Sequence, residues 1–182
     1  LSTGGTYKKI SEILGEKAKT CLTQVSEYTG QPETQGGLVK TLDFRIYLGL
    51  LTETYNESHQ ADLKRSLSFN IDMVIVNLYP FKKTIEQEGV TPEKARGNID
   101  IGGPTMIRAS AKNYLRVSSV VDPSDYKGII TALRKTGGYT DLKMRYELSS
   151  KAFEHTASYD RMIADYFAAT VFSDVKNCYD IK

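Results

Sequence analysis

Residues 71–78, IDMVIVNL, form the clearest buried strand in the chain, and Tyr79 and Pro80 close it because proline has no N–H to give to a ladder. Val117 to Val121 reads as a second strand. Helix signals alternate with them. Thr91-Pro92-Glu93 combines an N-cap, a proline at the first helical position and an acid in the first turn. Gly102-Gly103-Pro104-Thr105 breaks the chain and launches a helix through Met106, Ile107, Ala109 and Ala111. Asp122 to Asp125 caps another helix, closed at Gly137 and Gly138. From Asp141 to about Phe172 the residues Leu142, Tyr146, Ser149, Phe153, Thr156, Tyr159, Ile163 and Phe167 fall at alternating steps of three and four, which predicts one long amphipathic helix. Strands that alternate with helices favour an α/β layer fold with a mainly parallel sheet. At 182 residues, without repeat or linker, one compact domain is expected.

The N-terminal part is richer in turns. Tyr7 to Gly15 reads as a short helix with Gly15 as its C-cap, and Leu22 to Val25 as a short strand. Turn residues follow from Tyr28 to Pro32, a Gly36-Gly37 pair precedes Leu38 to Leu42, and Leu63 to Phe69 reads as the end of a helix. The chain opens at Leu1 on a strand-to-helix turn that lacks its strand, so an upstream strand is expected to be missing from this numbering.

Charge and cysteine content narrow the classes. Lys and Arg total 24 against 22 Asp and Glu, a net charge of +2, so no global field recruits nucleic acid or an anionic membrane and any anion site must be built locally. Cys21 and Cys178 are too far apart in sequence for a zinc knuckle or a CxxC pair, and His59 and His155 are too few for a histidine metal centre. A metal-free, cofactor-free protein of a reducing compartment is expected. The longest apolar run, Met73 to Val76, is far short of the roughly 18 residues of a membrane helix, and no signal peptide is read at the start, so the expected location is cytoplasmic.

Several segments carry chemistry. Ser2, Thr3, Gly4, Gly5 and Thr6 before a helix have the shape of a phosphate cradle: glycines let the backbone approach an anion, hydroxyls add donors, and the helix N-terminus adds partial positive charge. An ordinary capped turn explains the same residues. Lys40 follows the Gly-Gly turn inside an apolar run, where a lysine more often snorkels to solvent. Asp100 precedes Ile101, Gly102 and Gly103 at a helix start, which sets a carboxylate beside exposed backbone donors, and Lys112 and Asn113 lie about two turns beyond Thr105. Singly, Asp100 is equally a cap and Lys112 a solvated helix residue. Tyr79 sits at the carboxyl edge of a strand, where α/β sheets place ligand contacts, although a tyrosine there is often a packing residue. His155 reads as structural.

Taken together, LSTGGT at 1–6, VSEYTG at 25–30, VKTL at 39–42, NLYPF at 77–81, NIDIGGPT at 98–105, RASAKN at 108–113 and KAFEHTA at 151–157 resemble, in order, the IMP cyclohydrolase domain of the bifunctional AICAR transformylase/IMP cyclohydrolase family. The resemblance runs from residue 1 to about Phe167. It implies a three-layer α/β/α methylglyoxal synthase-like fold and closure of 5-formamidoimidazole-4-carboxamide ribotide (FAICAR) to inosine monophosphate (IMP), with loss of water and without a cofactor. It also implies that Ser2 to Thr6, with Lys40 and Thr41, hold the phosphate and ribose, and that Asn77 and Asn113 contribute to substrate binding. Asp100 and Lys112 become the expected proton-transfer pair. Tyr79, Lys40 and the N–H groups of Ile101, Gly102 and Gly103 become the groups that polarise the formyl oxygen. The expected partner is a small nucleotide, and a homodimer is possible within the family.

The chain also departs from that pattern. The family follows its VKTL with His-Pro and a later His and precedes it with Arg; here Leu38 precedes and Asp43-Phe44-Arg45-Ile46-Tyr47 follows. Tyr114 stands where the family has His after Ala-Lys-Asn, and no transformylase segment follows. The competing readings are a noncatalytic nucleotide-binding regulatory module of the same fold, which would lack the proton-transfer residues, and a methylglyoxal synthase.

Overall fold

The computed structural model describes residues 1–32 and 40–179, which form two compact units, Leu1–Ile71 and Asp72–Lys182. The Gly36-Gly37 pair, Leu38 and Val39 lie outside the described residues.

In the first unit Ser2 pairs with Gln24 in a single parallel bridge: its N–H donates to the Thr23 carbonyl at 3.0 Å and its carbonyl accepts from Val25 N at 3.0 Å. Helix α1 then runs Gly4–Leu14, α2 Ala18–Cys21, α3 Val25–Thr29, α4 Phe44–Leu51 and α5 Glu57–Arg65. The expected strand at Leu22 to Val25 is therefore only the bridge at Gln24, and Val25 opens α3 instead. Helix α1 also begins three residues earlier than Tyr7, so Gly4, Gly5 and Thr6 form its first turn. Gly15, at φ +54°, closes it as expected. Asp43 caps α4, its Oδ1 accepting from Arg45 N at 2.8 Å, and its Oδ2 accepts from Gln31 Nε2 at 3.1 Å. Gly49 is obligatory, because a Cβ there would lie 2.5 Å from the Phe69 carbonyl oxygen. Arg45 stacks over the Tyr28 ring at 4.3 Å and donates to the carbonyls of Tyr28 and Leu67.

The second unit is built on two parallel strands, β1 Met73–Ile75 and β2 Ser118–Val120, in the register Met73 to Ser118, Val74 to Ser119 and Ile75 to Val120. Helices α6 Phe81–Ile85, α7 Pro92–Gly97 and α8 Gly102–Lys112 connect them, and α9 Tyr126–Thr136, α10 Leu142–Ala169 and α11 Phe172–Asn177 follow. The strand expected over 71–78 is cut to three residues, since a ladder extends only as far as its partner. Among the described residues the sheet has these two strands.

Both serines of β2 are buried and satisfied, Ser119 Oγ at 2.8 Å from Ser110 Oγ of α8 and Ser118 Oγ at 2.8 Å from Thr140 Oγ1. Helix α10, 28 residues and thus about 42 Å long, packs against α8, β2 and α6. Its face buries Ala152 with Ile107, Ala111 and Val121, Tyr159 with Phe81 and Ala95, and Leu148 with Val120 and Ile129. Thr91 Oγ1 caps α7 by accepting from Lys94 N at 3.2 Å and Gly137 ends α9 at φ +75°, whereas Asp122 Oδ1, accepting from Ser124 N at 2.8 Å, caps the 3₁₀ turn Pro123–Asp125 that leads into α9 and not α9 itself. Lys151 reaches from α10 to Asp122 at 2.6 Å and Asp125 at 2.8 Å, which raises the lysine's pKa and holds the Asp122 carboxyl well below its ordinary range.

Candidate functional site

The candidate residues fall into two sets, one within each unit. In the first, Thr3 is the N-cap residue of α1 but its hydroxyl makes no capping bond. The N–H groups of a first helical turn have no intrahelical acceptor, so this turn presents donors to solvent. Ser2, Thr3 and Gly4 are half-buried, whereas Gly5 and Thr6 are exposed. Gly4 has φ +44°, a left-handed conformation that favours glycine, and a Cβ built on it would lie 3.2 Å from Lys40 Nζ. The Lys40 ammonium thus sits over the opening turn of α1, and it forms no ion pair among the described residues. Thr41 follows in the turn that leads to Asp43. The structure brings a cation, hydroxyls and a helix N-terminus together, the donor set that an anionic oxygen cluster requires.

In the second set Asp100 is fixed from two directions. Its Oδ1 accepts from Gly103 N at 2.9 Å, and its own backbone N–H donates to Tyr159 Oη at 2.9 Å. A Cβ on Gly103 would lie 2.6 Å from Asp100 Oδ2 and 2.6 Å from Leu78 Cδ2, so glycine is what lets the carboxylate lie against the helix start. Asp100 Oδ2 keeps no hydrogen bond among the described residues. Because Gly103 N is spent on Oδ1, the backbone donors left beside the carboxylate are those of Ile101 and Gly102, one fewer than expected.

Tyr79 follows Leu78 directly and is 66% exposed, its phenol open to solvent. Asn77 is exposed two residues beyond β1, and its Nδ2 donates to Tyr126 Oη at 3.3 Å. Asn113 is buried in the turn that closes α8, where its carbonyl accepts from Val117 N at 2.8 Å.

Lys112 and Asp100 are not brought together. Helix α8 has 11 residues, so its two ends lie about 15 Å apart, more than a lysine side chain spans. Lys112 is exposed at the C-terminal end and Asp100 precedes the N-terminal end. The two turns counted along the sequence run away from the loop. His155 is half-buried, and its Nε2 is enclosed without a hydrogen bond among the described residues.

Two features of the structure went unread in the sequence. Tyr159 was legible only as an apolar position of α10, and nothing local signals that its hydroxyl reaches Asp100. Asp43 carried a usable signal, an aspartate before an apolar helical run, yet it reads more readily as a changed wall beside Lys40.

Comparison with known proteins gives the family. The model of the MGS-like domain matches residues 1–105. The chain belongs to the MGS-like domain family. Over residues 110–181 it also matches the AICARFT/IMPCHase bienzyme model. It is similar to bifunctional purine biosynthesis protein PurH of Synechococcus sp. (strain CC9605), 46% identical over 92% of this chain and 31% of that protein. PurH of Acetivibrio thermocellus is 46% identical over 96% of this chain and 33% of that protein. The chain therefore spans about a third of the length of these curated relatives. A solved relative, the crystal structure of ForH, superposes with a TM-score of 0.76 at 30% identity, covering 91% of this chain and 83% of ForH. The small parallel sheet and the long C-terminal helix are thus those of an MGS-like fold, and no helix among the described residues is long and apolar enough to cross a membrane.

Proposed function

We propose that the chain is an IMP cyclohydrolase that closes FAICAR to IMP, working on a small nucleotide in the cytoplasm. The observation that carries this reading is Asp100, whose carboxylate is held at the start of α8 by Gly103 N, with no hydrogen bond to Oδ2 among the described residues.

The carboxamide nitrogen attacks the formyl carbon and gives up a proton, for which Asp100 Oδ2 is the acceptor. The formyl oxygen gains negative charge as its π bond opens, and the N–H groups of Ile101 and Gly102, with Tyr79 as a hydroxyl donor, suit its stabilisation. That oxygen takes a proton and becomes a hydroxyl. It then leaves as water with a second proton while the formamide nitrogen loses its hydrogen and forms the new C=N bond. Both hydrogens of the water thus come from the two nitrogens, and no oxidant or cofactor is needed. Taken by themselves, Lys40, Thr41 and the opening turn of α1 offer a donor set suited to a phosphate group. Lys112, separated from Asp100 along α8, is assigned to binding or proton delivery as an independent group.

FAICAR offered to the purified chain, with ring closure followed by absorbance, tests the reading. Formation of IMP supports it. Tight binding of IMP without turnover would replace it with the noncatalytic nucleotide-binding module.

A further inference from the structure

Tyr159 is buried, 3% exposed, two-thirds of the way along α10. Its ring meets Phe81 edge-on with centroids 6.3 Å apart, and Phe81, itself 1% exposed, meets Tyr166 edge-on at 5.8 Å. Ala95, Val90, Ile99 and Met162 complete this cluster. An apolar pocket of this kind has no need of a hydroxyl for its packing, and a phenol placed in it costs free energy unless its oxygen is used. Among the described residues the oxygen is used once, 2.9 Å from the backbone N of Asp100, 59 residues away in sequence. Burial raises the pKa of the phenol, so it remains a neutral acceptor through and above neutral pH.

We infer that Tyr159 is a positioning residue for Asp100: its phenol oxygen anchors the backbone at Asp100 while Gly103 and Leu78 confine the side chain, so that α10 fixes where the reactive carboxylate stands. The backbone bond acts at the residue's N–H and the Gly103 N–H acts at Oδ1, leaving the carboxylate one orientation with Oδ2 open. The aromatic cluster and α10 form a rigid backing that the loop from Asn98 to Ile101 does not supply by itself. A side chain on a helix holds a catalytic group more closely than loop packing can. The role in turnover rests on the proposed cyclohydrolase reaction, whereas the anchoring of Asp100 does not.

Tyr159→Phe tests the inference, since it keeps the ring and the Phe81 contact and removes only the oxygen. Amide hydrogen exchange reads the anchor without reference to activity. Exchange at Asp100 should accelerate at least about tenfold, the scale of one lost hydrogen bond, with the β1 and β2 amides unchanged. For FAICAR closure, kcat should fall between about 10- and 100-fold, the loss expected from misplacing one reacting group by about 1 Å, while KM stays within about twofold. In the Asp100→Asn background the same substitution should leave kcat unchanged, because Tyr159 acts only through Asp100. An unchanged Asp100 exchange rate overturns the anchor. A rise in KM alone, or an equal loss of kcat in both backgrounds, overturns the positioning role. If the parent chain does not turn FAICAR over, the proposed reaction fails, and the exchange result still decides the anchor.

Discussion

Gly103→Ala puts the geometry of the carboxylate under the most direct strain. A Cβ at this position would stand 2.6 Å from Asp100 Oδ2 and 2.6 Å from Leu78 Cδ2, where ordinary contact begins at 3.4 Å. Leu78 is packed against both the Ile107 and the Phe81 clusters and has little room to retreat. The strain therefore falls on Asp100, which must move by about 0.8 Å and loosen its bond from Gly103 N. Two effects on stability oppose each other. Alanine improves helix propensity by up to about 1 kcal/mol, less in a first turn, while the weakened charge-assisted bond costs roughly 1.5–3 kcal/mol. The net result is a destabilisation of about 1–2 kcal/mol, or a Tm lower by several degrees for a chain of this size. The effect on turnover is larger, about a hundredfold in kcat for FAICAR closure, because the reacting oxygen itself is displaced. Gly128→Ala in α9 is the control, since nothing lies within 4 Å of its Cβ position; it should raise Tm slightly and leave kcat alone. A Gly103→Ala chain that keeps the parent kcat would refute the claim that the position of Asp100 governs the reaction.

Other substitutions separate structural from chemical roles. Asp43→Ala removes the α4 cap and the Gln31 bond, so thermal melts should show a loss of about 1–2 kcal/mol with kcat changed no more than about twofold. Tyr47, whose buried hydroxyl has no hydrogen-bond partner among the described residues, is pushed up to about 12 by burial. Its folded-state pKa exceeds the unfolded value of about 10, so its contribution is complete below pH 10 and is lost as pH rises through 12. Solvent around a half-buried ring reduces that effect to on the order of 1 kcal/mol; Tyr47→Phe should flatten the alkaline fall in stability and be neutral or slightly stabilising at pH 7 in urea titrations. Asp100→Asn and Lys112→Ala should lower kcat multiplicatively when combined, because about 15 Å of helix separates them; a double variant no worse than the poorer single one would restore them as one proton-transfer unit.

What the sequence reveals about this fold follows the range of the interactions involved. The long C-terminal helix, the start of α7 and the 3₁₀ turn ahead of α9 were legible, because periodicity and capping are local: Thr91, Asp122 and Asp141 each accept from an N–H two or three residues ahead. The strands were overread, because an apolar run such as 71–78 becomes a ladder only opposite a partner, and β2 pairs with three of its residues. At Leu22 to Val25 strand propensity lost to the helix start at Val25. In the site, Asp100, Gly102 and Gly103 were legible as a unit because a carboxylate, two glycines and a helix start adjoin in sequence. The separation of Asp100 and Lys112 was not legible, because counting turns gives a face of the helix, whereas the distance between them is set by the rise along its axis. The Tyr159 anchor was invisible for the opposite reason, since its partner is 59 residues away and chosen by tertiary packing.

The central claim is that Asp100 accepts the proton when FAICAR closes, and the decisive comparison is Asp100→Asn against the parent chain, with kcat from the absorbance of ring closure and IMP affinity from calorimetry. Asparagine keeps an oxygen to accept from Gly103 N, so the start of α8 is preserved while the base is removed. The expected result is rapid closure by the parent, a fall of about 10²- to 10⁴-fold in kcat for the variant, and IMP affinity within a few-fold. Parent-like turnover by Asp100→Asn would contradict the claim.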